Sequence, residues 1–352
     1  MGVGAHIAWF DEIGLGDRAQ VGGKGGSLGE LKRAGIAVPP GYVVKTRAFE
    51  RLLESLEREA PVRAAVAAVS PGDLAGVTAC SRALRRRVEE AELPGEVLEE
   101  LSIAQERLVR GGTAQPVAVR SSATTEDAAE ASFAGLQDTY LWIKDPAEII
   151  RRVRSCWASL YSVESISYRR KLGFPEERVA MAVVVQSMVD ARTAGVMFTR
   201  SPTTGDRSVV TIEGAWGLGS AVVGGEVTPD RWVLGKITGE IAVREISDKL
   251  IEHVPAARGG VEAVAVAEER RRMPCLSDAE LQELRTLARR IERHYGCAQD
   301  IEWAVDRGSG AILLLQSRPE TVWSARDTAP IAKHEEDPLT HLMSIFGTRR
   351  CP

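Results

Sequence analysis

The sequence has few cysteines and no long uninterrupted apolar run. Its five cysteines are scattered over 352 residues, and no two of them have the CxxC spacing of a zinc or redox motif. Such a set favours a reduced, cytoplasmic protein over a disulfide-stabilised secreted one. The longest apolar stretch, residues 179–189, is interrupted by Gln186 and is too short to cross a membrane. Because the amino terminus also lacks the basic start and apolar core of a signal peptide, we expect no membrane association.

The excess of negatively charged residues over positively charged ones is also small. The chain has 45 Lys and Arg residues against 49 Asp and Glu residues, a net charge of -4, which argues against a nucleic-acid-binding surface as the main function. Basic runs at 85–87 and 270–272 lie in helix-like segments, where they are typical of solvated faces. A hydrophobic content of 44% is that of an ordinary globular chain, long enough for two packed lobes.

The most informative segment is residues 117–141, VAVRSSATTEDAAEASFAGLQDTYL. A short apolar run predicts a buried strand that ends at Arg120, whose guanidinium can hold phosphate oxygens through two parallel hydrogen bonds. The serines and threonines that follow add hydroxyl donors. Gly135 allows close backbone approach to a ligand, and Thr139 begins a second strand-like stretch. This chemistry suits a polyphosphate, and a solvated Ser/Thr loop with a surface arginine is the alternative that remains open.

A second glycine-rich segment, Gly-Gly-Lys-Gly-Gly at residues 22–26, precedes a short helical pattern at 27–33. Glycines free backbone amides to face an anion, and Lys24 adds a positive charge close to the start of a helix. The segment is not a P-loop, because the GxxxxGK[ST] pattern is absent. It predicts a turn that either contacts phosphate or is a plain connection. A third glycine cluster, at 214–219, predicts a loop held close to another element or a ligand.

Gln186 is the polar exception in an apolar strand predicted over 179–188. A buried amide must be satisfied either by the backbone or by a ligand whose edge carries both donors and acceptors, such as adenine. Both interpretations stay open on the sequence alone.

Two strands near the carboxyl end, at 300–305 and 311–316, predict a hairpin that places Glu302 beside Gln316. Carboxylate and amide oxygens suit Mg²⁺, which keeps phosphates and waters in its other positions. Arg318 shares the face of Gln316 and would lie beside the same triphosphate. An ordinary surface pair is the alternative for Glu302 and Gln316.

Together these segments resemble one family. In order along the chain they are GGKGGSLGEL, VPPGYVV, VAVRSSATTEDAAEASFAGLQDTYL, VVVQSMV, AGVMFTRSPTTGD, GAWGLGSAVVGGEVTPDRW, DIEWAVD and LLLQSRPET. They are similar to the nucleotide-binding part of phosphoenolpyruvate synthase, pyruvate phosphate dikinase and rifampicin phosphotransferase, and the resemblance covers about residues 7–321. It implies an α+β fold of the ATP-grasp type, in which two lobes clamp ATP.

The resemblance also implies a division of the chain and a set of ligand-binding residues. The first lobe would span 1–190 and the second 191–322, followed by a tail at 323–352 that either docks a partner or is a frayed terminus. The implied ATP-binding residues are Lys24, Arg120, Gly135, Thr139, Gln186, Glu302, Gln316 and Arg318. Among them Lys24, Arg120 and Arg318 would hold phosphates and act in catalysis, and Glu302 and Gln316 would bind Mg²⁺.

Two positions depart from the pattern of the family. Ser220 follows Gly-Leu-Gly where the family usually has Glu, and Ser201 stands where the family commonly has Asp before Pro. Neither residue belongs to the implied ATP-binding set, so we expect ATP binding to be retained, while the detailed geometry of the metal site stays open.

The chain lacks the TxGGxxSHA-like segment that carries the phosphorylated histidine in full-length members of the family. Its five histidines lie in other settings: His6, His253, His294, His334 and His341. We therefore expect the phosphohistidine and the acceptor site on a partner subunit, unless the chain is a fragment. A separate chain of this size resembles the smaller subunit of phenylphosphate synthase, which implies phenol as the final acceptor.

Two alternatives accompany this interpretation. The chain could be the amino-terminal part of a phosphoenolpyruvate synthase or of a rifampicin phosphotransferase. It could also be a non-catalytic subunit that senses nucleotides, although the retention of the charged residues of the implied site argues against that function.

Overall fold

The computed structural model describes residues 4–110, 116–124 and 138–323. Gly135 and nearly all of the predicted tail lie outside the described residues. The helices are α1 (Arg18–Arg33), α2 (Thr46–Glu59), α3 (Arg63–Ala68), α4 (Leu74–Glu90), α5 (Gly95–Arg110), α6 (Pro146–Ser159), α7 (Val163–Leu172), α8 (Ser220–Val223), α9 (Glu268–Arg271) and α10 (Asp278–Tyr295). In the part that the structure describes, no helix combines the length and apolarity needed to cross a membrane.

The strands form two large antiparallel sheets and a small one. They are β1 (Ile7–Trp9), β2 (Gly41–Val44), β3 (Val117–Ala123), β4 (Thr139–Ile143), β5 (Met181–Ser187), β6 (Ala191–Phe198), β7 (Val209–Trp216), β8 (Asp230–Gly235), β9 (Ile241–Glu245), β10 (Ile251–Pro255), β11 (Val261–Ala265), β12 (Gln299–Asp306) and β13 (Ile312–Pro319). The predicted α+β class is confirmed.

The first sheet has five strands in the order β1-β2-β5-β3-β4, and the second has six in the order β13-β12-β6-β7-β8-β9. The hairpin of β10 and β11 stands apart as a two-stranded sheet. The chain passes from the first large sheet to the second between Ser187 and Ala191. These two sheets carry the residues of the candidate site.

Local sequence signals explain several element boundaries. Ser277 and Glu280 form a capping box at the start of α10, in which the Ser277 hydroxyl accepts from the Glu280 amide and the Glu280 carboxylate accepts from the Ser277 amide. Asp145 caps α6, and Pro146 occupies its first turn, where no amide donor is needed. The helix α2 begins at Thr46, and Lys45 is its N-cap.

The prediction of a turn at residues 22–26 was wrong, because these glycines lie inside α1. The helix is kinked at Gly22, whose φ of 71° is accessible to glycine without strain. A Cβ at this position would lie 2.1 Å from the Ser122 carbonyl oxygen. The Gly25 amide also donates to the Ser122 hydroxyl at 3.2 Å. The glycines therefore allow α1 to pack directly against β3.

The strand β3 also continues past Arg120, where the sequence predicted its end, and reaches Ala123. Arg120 is therefore held on both sides by neighbours in the sheet, with Thr139 on β4 and Val184 on β5 as its partners. A guanidinium attached to the middle of a strand is oriented more firmly than one at the start of a loop.

The hydrophobic core joins the two sheets through α1. Leu28 and Leu31 of α1 are buried in the same cluster as Val184 of the first sheet and Trp303 and Leu314 of the second. A separate cluster covers the other face of the first sheet, and Trp157, Leu160 and Tyr161 belong to it. The predicted division at residue 190 stays a prediction, since the structure has two sheets with a common core.

Candidate functional site

A cavity of about 350 Å³ lies between the two large sheets. Its polar lining comes from β3, β4, β5, α8 and β12: Arg120, Thr139, Gln186, Ser187, Ser220 and Glu302. Its apolar lining comes mainly from the link between the sheets, from β6 and from the loop before α8: Met188, Val189, Ala191, Ala194 and Leu218. The cavity thus has one apolar side and one side with charged groups.

Arg120 connects the first sheet to the second at this cavity. Its Nη2 donates to Glu302 Oε2 at 3.1 Å and to Gln316 Oε1 at 2.5 Å, and its Nη1 donates to the Leu315 carbonyl at 3.3 Å. Its side chain is 11% exposed, and its buried Nε has no hydrogen-bond partner among the described residues. Arg120 therefore touches the residues that the sequence placed on the opposite wall of the site.

The hairpin of β12 and β13 brings Glu302 and Gln316 together. They are directly paired, which is the register that the sequence predicted. A bulge follows Glu302, since Trp303 pairs with Leu314 and leaves Leu315 as the extra residue. Leu315 lines the cavity, and its carbonyl is one of the acceptors for Arg120. The bulge could not be read from the alternation of side chains, because that alternation assumes regular pairing.

Gln186 is 3% exposed and lies on β5, between Gly41 of β2 and Ala118 of β3. Its Nε2 is buried without a hydrogen-bond partner in the described part of the chain. Because a buried donor without a partner is costly, this atom fits a ligand that brings an acceptor. The apolar side of the same cavity provides a surface on which a flat ring can lie.

The other predicted residues occupy the surroundings of the cavity. Thr139 lies on its wall, at the start of β4. Lys24 is half-buried on α1, close enough to Cys156 that its charge opposes the large rise that burial causes in the pKa of that thiol. Arg318 is 57% exposed, with its Nε 3.4 Å from Asp300 Oδ2. Burial raises the pKa of Asp300 to about 6, and Arg318 opposes this rise. Neither Lys24 nor Arg318 lines the cavity as the described residues form it.

The two departures from the family pattern have different surroundings. The Ser201 hydroxyl closes a turn after β6, where it accepts from the Thr204 amide at 3.2 Å and from the Thr204 hydroxyl at 2.8 Å. Ser220, in contrast, lines the cavity at the first position of α8. The sequence predicted that the preceding glycine cluster forms a loop held close to another element or a ligand. It did not identify Ser220 or Leu218 as residues that line the cavity.

The small hairpin contacts the first sheet beside the site. The Gly260 amide, between β10 and β11, donates to the Trp142 carbonyl on β4 at 3.2 Å. Trp142 has a φ of 58°, a left-handed conformation that is uncommon for a bulky residue. Its position coincides with a register shift between β3 and β4. The Trp142 carbonyl thus accepts a hydrogen bond from the hairpin of β10 and β11, which lies outside its own sheet.

Comparison with known proteins supports these observations. Residues 18–338 match the family described as pyruvate phosphate dikinase, AMP/ATP-binding domain. The chain belongs to this family. The match agrees with the predicted ATP-grasp fold and with the nucleotide-binding resemblance of the sequence segments.

Several relatives are similar over nearly the whole chain. A probable phosphoenolpyruvate synthase of Methanocaldococcus jannaschii is 39% identical over 343 residues, which are 97% of this chain and 29% of that protein. The phosphoenolpyruvate synthase of Pyrococcus furiosus is 36% identical over an alignment of 371 positions, which covers 94% of this chain and 45% of that protein. A rifampicin phosphotransferase of a Streptomyces species is 38% identical over 97% of this chain and 38% of that protein. The chain therefore spans less than half the length of these relatives.

Proposed function

We propose that this AMP/ATP-binding domain binds Mg-ATP in the cavity between its two sheets and serves a dikinase-type phosphotransfer to a histidine outside the chain. The observation that carries the proposal is the meeting of Arg120 with Glu302 and Gln316 beside the cavity that Gln186 also lines. A cation, two oxygen ligands and a buried amide donor are the groups that triphosphate, Mg²⁺ and adenine require.

The residues present fit a magnesium ion that also binds phosphate. No group of three or more His, Cys, Asp or Glu able to hold a metal occurs among the described residues. Glu302 and Gln316 supply two oxygens on paired positions, and Mg²⁺ commonly takes only one or two protein ligands beside nucleotide phosphates. When bound, the ion would neutralise phosphate charge. In our proposal Glu302 and Gln316 hold it, and Arg120, released from them, holds phosphate oxygens.

The remaining predicted residues have supporting roles in this proposal. Lys24 and Arg318 add positive charge near the phosphates, although reaching them requires side-chain movement from the observed positions. Thr139 contributes from the wall of the cavity, and Gly135, which lies outside the described residues, would belong with Thr139 to the phosphate-covering loop that the family resemblance implies. The chain positions the nucleotide and neutralises the charge of its phosphates, and it supplies no covalent nucleophile.

The proposed reaction joins a histidine nitrogen to the β-phosphorus and breaks the bond between that phosphorus and the oxygen that it shares with the α-phosphate. AMP leaves with this oxygen. The γ-phosphate is later released by water as inorganic phosphate. The histidine and the acceptor site would lie on a partner subunit or in a further part of a longer protein.

The final acceptor is proposed on weaker grounds than ATP binding. Phenol follows only from the resemblance to phenylphosphate synthase. The names of the relatives favour pyruvate, as in phosphoenolpyruvate synthase, or rifampicin, as in rifampicin phosphotransferase. Identification of the protein that co-purifies with the tagged chain, and that gains an acid-labile label from β-labelled ATP, would separate these possibilities.

Calorimetry with Mg-ATP tests the binding site. We expect Arg120→Ala and Glu302→Ala to weaken binding by about 10-fold or more, the loss typical of a charge-assisted hydrogen bond. Glu245→Ala, on an exposed strand position, should bind as the wild type does. Unchanged binding in both site variants would contradict the assignment. Binding without AMP formation in the presence of the labelled partner would instead favour a nucleotide-sensing subunit.

A further inference from the structure

A serine, a histidine and a glutamate form a chain of contacts at the edge of the cavity. The Ser220 hydroxyl oxygen lies 2.8 Å from His253 Nδ1. The other ring nitrogen of His253, Nε2, lies 3.4 Å from Glu226 Oε2. His253 is 9% exposed, whereas the Glu226 side chain is 53% exposed. The three groups therefore run from solvent through a buried ring to the cavity wall.

The backbone holds this arrangement in place. The Leu218 amide donates to the His253 carbonyl at 2.9 Å, which ties the glycine-rich loop to β10. Gly217 has a φ of 72°, and a Cβ at this position would lie 2.4 Å from the same carbonyl oxygen. The side-chain contact between Ser220 and His253 thus lies next to a close backbone contact, that of Gly217 and Leu218 with the His253 carbonyl. This backbone contact fixes the position of the Ser220 hydroxyl.

The direction of the hydrogen bond between Ser220 and His253 depends on the tautomer of the ring. A neutral ring that carries its proton on Nε2, the nitrogen that faces the Glu226 carboxylate, leaves Nδ1 without a proton. His253 Nδ1 is then an acceptor, and the Ser220 hydroxyl donates its hydrogen to it. The lone pairs of the Ser220 oxygen stay available on the cavity side. Ser220 therefore presents an acceptor to a bound ligand.

We propose that Ser220 contacts the nucleotide and accepts a hydrogen bond from a hydroxyl of its sugar, and that His253 and Glu226 are positioning residues for this contact. The inference rests on the proposed function. Phosphate oxygens are acceptors and cannot donate to Ser220. The donors and acceptors of the base edge complement the amide of Gln186. The sugar hydroxyls are the remaining donors of ATP, and the cavity wall at Ser220 has an acceptor for one of them.

The test compares binding of ATP, 2′-deoxy-ATP and 3′-deoxy-ATP by calorimetry. For the wild type we expect one of the deoxy nucleotides to bind about 10-fold more weakly than ATP, because it leaves the Ser220 acceptor without a donor. Ser220→Ala should bind ATP as weakly as the wild type binds that deoxy nucleotide, and should bind both equally. Ser102→Ala, an exposed serine on α5, is the matched control and should keep the wild-type ratio.

Variants of His253 separate positioning from a merely structural role. His253→Asn keeps an acceptor for the Ser220 hydroxyl and should retain most of the discrimination between ATP and the deoxy nucleotide. His253→Leu lets the hydroxyl rotate and should reduce it to about 3-fold or less. The ratio of the two affinities is insensitive to a uniform loss of folded protein, so a purely structural role predicts equal ratios in both variants.

The outcomes distinguish the two proposals. If the wild type binds no Mg-ATP, both the proposed function and this inference are overturned. If it binds ATP and both deoxy nucleotides equally, or if Ser220→Ala keeps the wild-type ratio, only the role of Ser220 is overturned.

Discussion

Arg120 donates hydrogen bonds to the Glu302 carboxylate and to the Gln316 amide oxygen, which lie side by side at paired positions of β12 and β13. Its Nη2 donates to both Glu302 and Gln316. Two acceptor oxygens on paired positions of neighbouring strands need a positive partner, and the guanidinium of Arg120 supplies it. In the proposed function, nucleotide and metal binding exchange one cation for another at these oxygens.

Glu302→Gln tests this exchange. The substitution keeps the size of the side chain and its ability to accept from Arg120, but it removes the charge that favours Mg²⁺. We expect Mg²⁺ to strengthen ATP binding by the wild type and to strengthen it at least 10-fold less in the variant, measured by calorimetry with Mg²⁺ and with a chelator. An equal effect of Mg²⁺ in both proteins would exclude Glu302 as a ligand of the metal.

Gln186→Leu separates stability from binding. The substitution removes a buried nitrogen that has no partner among the described residues, so the free energy of unfolding should stay the same or rise by about 1 kcal/mol. ATP affinity should fall about 10-fold, because the nucleotide loses the hydrogen bond that the Gln186 amide would donate to it. Urea denaturation and calorimetry measure the two effects. A clear loss of stability without loss of affinity would show that the amide serves the sheet alone.

The spacing of residues along the sequence predicted some contacts of the site and did not predict others. The pairing of Glu302 with Gln316 followed from the alternation of side chains in two short strands and is confirmed. The bulge at Leu315 did not follow, because it depends on how the hairpin meets Arg120. The contact of Arg120 with both residues joins sequence positions that no local pattern connects.

At the scale of secondary-structure elements, α1 is a helix that is kinked at Gly22, where it packs against β3. Four of its glycines stand in a segment that, read locally, predicts a turn. The tertiary contact with β3 overrides this local preference, since Gly22 and Gly25 both meet Ser122. In α10, by contrast, the capping box and the apolar spacing agree with the tertiary structure.

Gly22→Ala measures the cost of that packing. The new Cβ would have both an unfavourable φ and a backbone oxygen at 2.1 Å, so we expect a loss of about 3 kcal/mol in the free energy of unfolding. Gly16→Ala is the control, since nothing lies within 4 Å of its added Cβ. Thermal or urea denaturation checks both variants. Similar stability of the two would mean that α1 shifts easily against β3.

At the scale of the whole molecule, one core serves two sheets. Leu31 of α1 is fully buried between residues of both. The sequence predicted two lobes from a family resemblance, and the two large sheets correspond to its general outline. It could not predict that a helix from the first part of the chain packs on β13, because such contacts depend on the three-dimensional arrangement.

Leu31→Ala should therefore weaken both sheets together. We expect a loss of about 2–5 kcal/mol, as for other buried leucines, in a single cooperative unfolding transition. Amide hydrogen exchange should accelerate to the same extent in β5 and in β7. Faster exchange in only one of these strands would indicate two units that unfold independently.

The position of α1 also limits how the site can admit a molecule as large as a nucleotide. On the α1 side the two sheets are joined by continuous apolar packing, and a gap there would expose the core. On the other side the described contacts include a hydrogen bond from the Gly260 amide to the Trp142 carbonyl and a smaller apolar cluster that contains Trp142 and Leu218. Because this cluster is much smaller than the core beside α1, separation of the sheets costs less beside the hairpin of β10 and β11. In the proposed function, entry and exit of the nucleotide would follow that route, past Ser220 and past His253, which lies on β10.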